Sequence, residues 1–401
     1  MKNVVVFDQA ESFGGSIARM LDVIEDTPNI DYLLFSYLHK SKATNRRHFT
    51  NLTVKRLFSF FNYQKKQNLE NLLIKKNNEL IVGSLYIKKI IALLDLSNEI
   101  FVTLQMQLHL VFKNIDILIS NSNIHAVSMR LSNTLSCKHI IIFRSLDYLG
   151  RWKSNLQQID YFVFISRPLQ EFYCSELAIN ENQCKVIGDP VDADSELMRQ
   201  IKLDNHLPLT IKSKKKEFIF LCVGRICEQK GQLDACQAFF KSNTWPQSQL
   251  ILLGGIDPDT TSQRYHKKII EFIAEHGLDK HIQIVGFQNN PLVWMKKADI
   301  VLHCATMFEG LGSSVIEAMQ LGKVVIASDN GGPSSFIKNS INGYLYPSRN
   351  IDKLSHLIHQ LHEKKDDLKD IELHAKLDAT KLFSRTRISN QFIKLYQTTK
   401  N

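Results

Sequence analysis

A chain of 401 residues, 44% apolar and 22% charged with 17 Gly and 9 Pro, has the make-up of a globular protein with two or three domains, each able to bury a core. No low-complexity tract and no repeat with a period of about 20–50 residues points to a solenoid. The net charge of +10 is local, because twelve Lys and Arg between Lys40 and Lys89 face only Glu70 and Glu79. A basic surface of this kind suits an anionic partner.

The start, MKNVVVFDQAESFGG, has too short an apolar run for a signal peptide. The longest uncharged apolar-rich stretch, Ile100 to Phe112, is 13 residues, too short to span a bilayer. Seven scattered cysteines (Cys137, Cys174, Cys184, Cys222, Cys227, Cys236, Cys304) show no zinc spacing and read as the reduced thiols of a cytoplasmic protein.

In chain order, NVVVFD (3–8) reads as a strand, Phe13-Gly14-Gly15-Ser16 as a glycine turn and IARMLDVIED (17–26) as a helix. IDILIS (115–120), HIIIF (139–143), YFVFIS (161–166) and KVIG (185–188) follow as short apolar runs, each before a polar turn or helical stretch. Such runs alternating with helices predict a parallel sheet covered on both faces. Residues 40–113 carry no alternation that parses. The pattern breaks at Asp189-Pro190-Val191-Asp192 and a lysine-rich stretch runs to Lys216, which predicts a linker and the entry to the second domain over 189–216. The alternation restarts with FIFLCVG (218–224), QLILLGG (249–255), HIQIVG (281–286), DIVLHC (299–304), KVVIAS (323–328) and GYLY (343–346). The expected fold is α/β, with two facing Rossmann-like doubly wound domains over 1–188 and 217–382 and ligand crevices at the carboxyl ends of their strands. Residues 383–401 are expected to add a C-terminal helix that packs back on the N-terminal domain, with Ser384 as its N-cap.

The densest chemistry lies in FEGLGSSVIEAMQLGKVVIASDNGG (308–332). Glu309 and Glu317 are separated by seven residues, with Gly312-Ser313-Ser314 between them at a helix start. Free N–H groups and the positive dipole end there suit a diphosphate, and Gly312 lets the backbone come close to phosphate. Glu317, one turn on, can accept from a ribose diol. Ser314-Val315-Ile316-Glu317 also reads as a capping box, in which Glu317 only satisfies the helix's first N–H. A second constellation is CVGRICEQKG (222–231), where Arg225 and Lys230 at a sheet edge can clamp a diphosphate or stand as ordinary solvated charges. Fixed cations beside a departing diphosphate stabilise its charge without a bound metal.

Together, Gly224-Arg225, Lys230-Gly231 and the Glu309–Glu317 pair resemble the large retaining family of GT-B glycosyltransferases often called family 4. The resemblance covers about 217–347, and the N-terminal domain mainly through Gly14-Gly15. It implies that Arg225 and Lys230 hold the donor diphosphate, Glu317 the ribose, and Glu309 the donor sugar. It further implies that Gly312, Ser313 and Ser314 give amides to phosphate, that Gly14 and Gly15 close over it from the opposite domain, and that Gly286 and Phe287 seat the base. No metal or other cofactor is implied. The family's usual histidine after IIIF (140–143) is here Arg144-Ser145, which makes Arg144 a candidate donor-sugar contact; the glutamate often found after Gly331-Gly332 is Ser335. His125 and Asp147 are nearby polar residues better read as structural.

The resemblance implies transfer of a hexose-type sugar from a nucleotide-sugar to a glycan or lipid-linked acceptor, in bacterial lipopolysaccharide, O-antigen or capsule synthesis. The alternatives are a GT-B epimerase or phosphorylase, or an inactive nucleotide-sugar-binding subunit, which the absent histidine motivates. In the basic window, Phe58, Phe60, Phe61 and Tyr63 stand among paired lysines beside Leu69, Leu72 and Leu73. That mixture reads as a patch lying on an anionic membrane or as a helix packed on its sheet. No motif supports nucleic-acid binding.

Overall fold

Strands buried on both faces need continuous apolar runs, and these runs assemble here into two parallel sheets. The computed structural model describes residues 2–8, 15–36, 50–57, 81–110, 112–122, 126–146, 156–177, 179–203, 218–364 and 368–398. One unit comprises Met1–Phe164, Tyr173–Lys185 and Phe392–Asn401, the other Ile165–Phe172 and Val186–Gln391.

The first sheet is built from β1 (Lys2–Asp8), β2 (Ile30–Ser36), β3 (Leu52–Arg56), β4 (Ile117–Asn121), β5 (Lys138–Phe143), β6 (Tyr161–Phe164) and β7 (Cys184–Val186). The intervening helices are α1 (Gly15–Glu25), α2 (Ile81–Leu110), α3 (Ala126–Ser132) and α4 (Arg167–Leu177). The order β3-β2-β1-β4-β5-β6-β7 puts the reversal of the winding between β1 and β4. In register, Val5 stands beside Leu33 and Leu118, and all three are buried. At the carboxyl ends of the reversal pair, Asn121 Nδ2 donates to Asp8 Oδ2, and Arg144 Nε donates to Asn121 Oδ1 at 3.1 Å.

Residues 40–113, unreadable as alternation, contain β3 and the 30-residue α2. The helix shows no stripe because it is apolar on more than one side: Val102, Met106 and Leu110 join the core, while Leu93, Leu104 and Leu108 are exposed. No helix among the described residues is long and apolar enough to cross a membrane.

The second sheet has the order β10-β9-β8-β11-β12-β13, all parallel. Its strands are β8 (Phe218–Val223), β9 (Ser248–Leu253), β10 (Ile282–Gly286), β11 (Ile300–His303), β12 (Val324–Ser328) and β13 (Tyr344–Tyr346). One group of covering helices, α6 (Gln232–Lys241), α7 (Thr260–Glu275) and α10 (Ile351–Glu363), contributes Phe239, Ile269, Ile358 and others to a core with Phe220, Leu250, Ile300 and Val324. Side-chain caps fix two of their starts, Asp259 accepting from Thr261 and Ser262 N–H and Asn350 from Lys353 N–H. The remaining helices are α5 (Ala193–Leu203), α8 (Pro291–Lys297), α9 (Ser313–Gln320), α11 (Lys369–Phe383) and α12 (Arg385–Thr398).

The first part of the expected linker is built into this second unit. Buried Gln320 accepts from Ala193 N at 2.9 Å and donates to Val191 O at 3.0 Å, while Gln200 Oε1 accepts from Leu292 N at 3.2 Å. Residues 204–216 lie outside the described residues. In the first unit, Lys2 Nζ donates to Tyr396 O, and the Tyr396 side chain is buried.

Candidate active site

In the second sheet the winding reverses between β8 and β11, so the crevice of this unit opens where Val223 and His303 end their strands. Both constellations read from the sequence start there. After β8, Arg225 is 61% exposed and its Nη1 meets Asp257 Oδ2 at 2.6 Å, while its carbonyl accepts from buried Gln232 at 2.8 Å. A single 3-10 turn, Glu228–Lys230, then carries Lys230 into Gly231 and α6.

Gly231 has φ +66°, and a Cβ on it would lie 1.9 Å from Cys304 O. Only glycine lets this turn press against the end of β11. Two further bonds stitch the loops together: Thr306 N donates to Gln229 O at 3.0 Å, and Thr306 Oγ1 to Glu228 O at 2.7 Å.

The loop after β11 is held as firmly. Glu309 N donates to Asn330 O at 2.9 Å, and Glu309 O accepts from Gly332 N at 2.7 Å. Gly331, at φ +109°, approaches so closely that a Cβ would lie 2.2 Å from Glu309 O. With its main chain fixed, the Glu309 carboxylate meets Lys230 Nζ and, at 3.3 Å, His303 Nε2, both through Oε2. The side chains are 27% exposed for Lys230, 19% for Glu309 and 4% for His303. Burial alone pushes the Glu309 carboxyl up, but the hydrogen bond and field of His303 and the Lys230 ammonium outweigh it and hold the group well below the usual carboxylate range.

Helix α9 begins at Ser313, with Gly312 as its N-cap at φ +83° and no side-chain cap. This corrects the capping-box alternative. Ser314 lies inside the first turn, so it cannot be the cap, and Glu317 is a half-buried residue further along the helix. The amides of Ser313 and Ser314 precede the first backbone bonds to Gly312 O, made by Val315 and Ile316. On the outermost strand of the same sheet, Gly286 ends β10 and its carbonyl accepts from Gly254 N at 3.0 Å. Phe287 follows with 72% exposure, a flat apolar face at the carboxyl edge of the sheet.

The structure thus brings Lys230 and Glu309 into contact, and Arg225 leaves the same strand end toward Asp257. In the first unit Gly15 is the first residue of α1, and Arg144 is tied to Asn121. Gly14, His125, Asp147, residues 40–49 and residues 58–80 lie outside the described residues, and with them Lys40, the aromatic cluster and the lysine pairs Lys65-Lys66 and Lys75-Lys76. Sequence reasoning missed His303 and Asp257. The signal for His303 was there: a titratable side chain closing an otherwise apolar strand, IVLH, at the sheet's carboxyl edge.

Two doubly wound parallel sheets of seven and six strands define a GT-B-like protein. The Anabaena protein HepE, solved in complex with UDP, matches over 99% of this chain and 100% of its own with a TM-score of 0.71 and 18% identity, a likeness of fold. Residues 209–378 match the family model for glycosyl transferases group 1. This match lies within the second unit. A capsular polysaccharide biosynthesis glycosyltransferase of Staphylococcus aureus is 33% identical over 134 residues, covering 32% of this chain and 36% of that protein. The N,N'-diacetylbacillosaminyl-diphospho-undecaprenol alpha-1,3-N-acetylgalactosaminyltransferase of Campylobacter jejuni is 24% identical over 258 residues, covering 61% and 62%. The chain spans less than two thirds of the length of the curated relatives it matches.

Proposed function

We propose that this protein is a retaining glycosyltransferase that moves a hexose-type sugar from a nucleotide-sugar to a glycan or lipid-linked acceptor in bacterial surface polysaccharide synthesis. The observation that carries the reading is the meeting of Lys230, Glu309 and His303 at the β8–β11 reversal, one loop before the glycine-capped start of α9. The names of the Staphylococcus and Campylobacter relatives support the class of acceptor.

In this proposal Lys230 and Arg225 face the donor diphosphate, the Ser313 and Ser314 amides add their dipoles, Glu317 takes the ribose and Phe287 the base. The bond from the anomeric carbon to the diphosphate oxygen breaks as the acceptor oxygen bonds that carbon on the same face. The acceptor's proton passes to the departing diphosphate. Positive groups already in place meet the charge that develops there, and the proposal asks for no metal ion.

A melting-temperature panel of UDP-, GDP- and ADP-sugars, each with and without EDTA, tests the donor site. One nucleotide is expected to raise the melting temperature in both conditions, since a ligand at about 100 times its Kd stabilises by about 2.7 kcal/mol. No shift with any of them would sink the donor-site reading. Binding with neither sugar transfer nor donor hydrolysis would favour an inactive subunit.

The net +10 of the Lys40–Lys89 window is the reason to add an anionic membrane surface as partner. Each lysine near such a surface contributes about 1 kcal/mol, screened as salt rises. The chain should therefore float with anionic vesicles at low salt, detach at high salt and ignore neutral vesicles. No salt-sensitive binding to anionic vesicles would end the membrane reading and leave a soluble acceptor.

A further inference from the structure

His303 stands out among the buried polar groups of the second unit. It is 4% exposed, it ends β11 at the reversal of the sheet, and its Nδ1 meets no hydrogen-bond partner among the described residues. The ring's one hydrogen bond runs from Nε2 to Glu309 Oε2 at 3.3 Å, and that same oxygen takes the ammonium of Lys230. One carboxylate oxygen therefore serves two donors of different freedom. Lys230 reaches it on a flexible stem and keeps contact with solvent, whereas the imidazole is fixed by the strand that carries it.

We propose that His303 is a positioning residue that frees Lys230 for an anionic ligand by holding Glu309 through Nε2. The inference rests on the reading that Lys230 faces the donor diphosphate. Two donors on one oxygen each bind it less tightly than either would alone, so the imidazole loosens the Lys230–Glu309 pair. When a diphosphate draws the ammonium away, Glu309 would otherwise be a half-buried carboxylate with no partner in place, next to an incoming anion. The hydrogen bond from His303 remains and keeps the carboxylate where it was. The division of labour is between a mobile cation for phosphate and a fixed donor for Glu309.

A double-mutant cycle on nucleoside diphosphate binding tests this, with the nucleotide taken from UDP, GDP and ADP by calorimetry. His303→Leu is expected to weaken binding about tenfold, because Lys230 is then left to Glu309 alone. His303→Gln keeps an N–H within reach of the Nε2 position and should bind within about threefold of the wild type. In the Glu309→Gln background, where no carboxylate competes for the ammonium, His303→Leu should change affinity by less than twofold. A role in packing alone predicts the opposite, an equal loss in both backgrounds, and that result overturns the proposal. So does wild-type affinity in His303→Leu. Should His303→Leu fail to fold, His303→Asn, whose amide is too short to reach Glu309, takes its place against His303→Gln in the same two backgrounds. A wild-type chain that binds none of the three nucleotides overturns the donor-site reading and this proposal with it. Nucleotide binding insensitive to His303 overturns this proposal alone.

Discussion

Lys230→Ala is expected to lower sugar transfer by about two to three orders of magnitude, as removal of one charge-stabilising donor does in other transfer reactions. The melting temperature should fall only slightly. Lys230 and Glu309 both retain some solvent contact, so the loss of the pair costs less than that of a fully buried one. His303 still donates to the carboxylate that remains. Arg225→Ala should be milder, about tenfold, because Arg225 is well exposed and is engaged by Asp257 from the loop after β9. Measured turnover of purified variants at saturating donor ranks the two cations. A Lys230→Ala enzyme within tenfold of the wild type would remove the diphosphate clamp from the proposed mechanism.

The two glutamates are expected to separate kinetically. With the cap of α9 supplied by Gly312, the Glu317 carboxylate is not needed to start its helix. Glu317→Gln should therefore leave the melting temperature unchanged and raise the donor KM about tenfold, since a neutral amide is the poorer acceptor for a ribose diol. Glu309→Gln should do the reverse, lowering kcat about a hundredfold at saturating donor without raising the donor KM, because it also releases Lys230. Initial-rate kinetics against donor concentration decides between these patterns. Equal effects of both changes on kcat alone would place Glu317 somewhere other than at the ribose.

Much of the second unit was legible because most of its strands are built on a short apolar run that ends in a polar or glycine turn. The FIFLCV, SQLILL and VVIAS strands needed no more than that. The first unit was harder. Strand β2 follows the turn after α1 closely, β3 has only five residues (LTVKR), and α2 is apolar on more than one side. At the site, residue types and spacing led to Lys230, Glu309 and Gly312. They did not lead to His303 or Asp257, whose roles depend on which strand ends adjoin after folding. Nor could the local sequence place the cap at Gly312 in preference to Ser314, because S-x-x-E satisfies a capping box equally well on paper.

The stitched loops have a practical consequence for redesign. Thr306 is bonded through both its amide and its hydroxyl, and Glu309 is pinned through both its amide and its carbonyl. Met307, exposed between these fixed points, carries none of the bonds that define the loop. Side chains of different size and polarity can therefore be exchanged at Met307 while the backbone that carries Glu309 stays in register. A combinatorial library that varies the surface of this loop has its first randomised codon there, with Gly231 and Gly331 kept invariant.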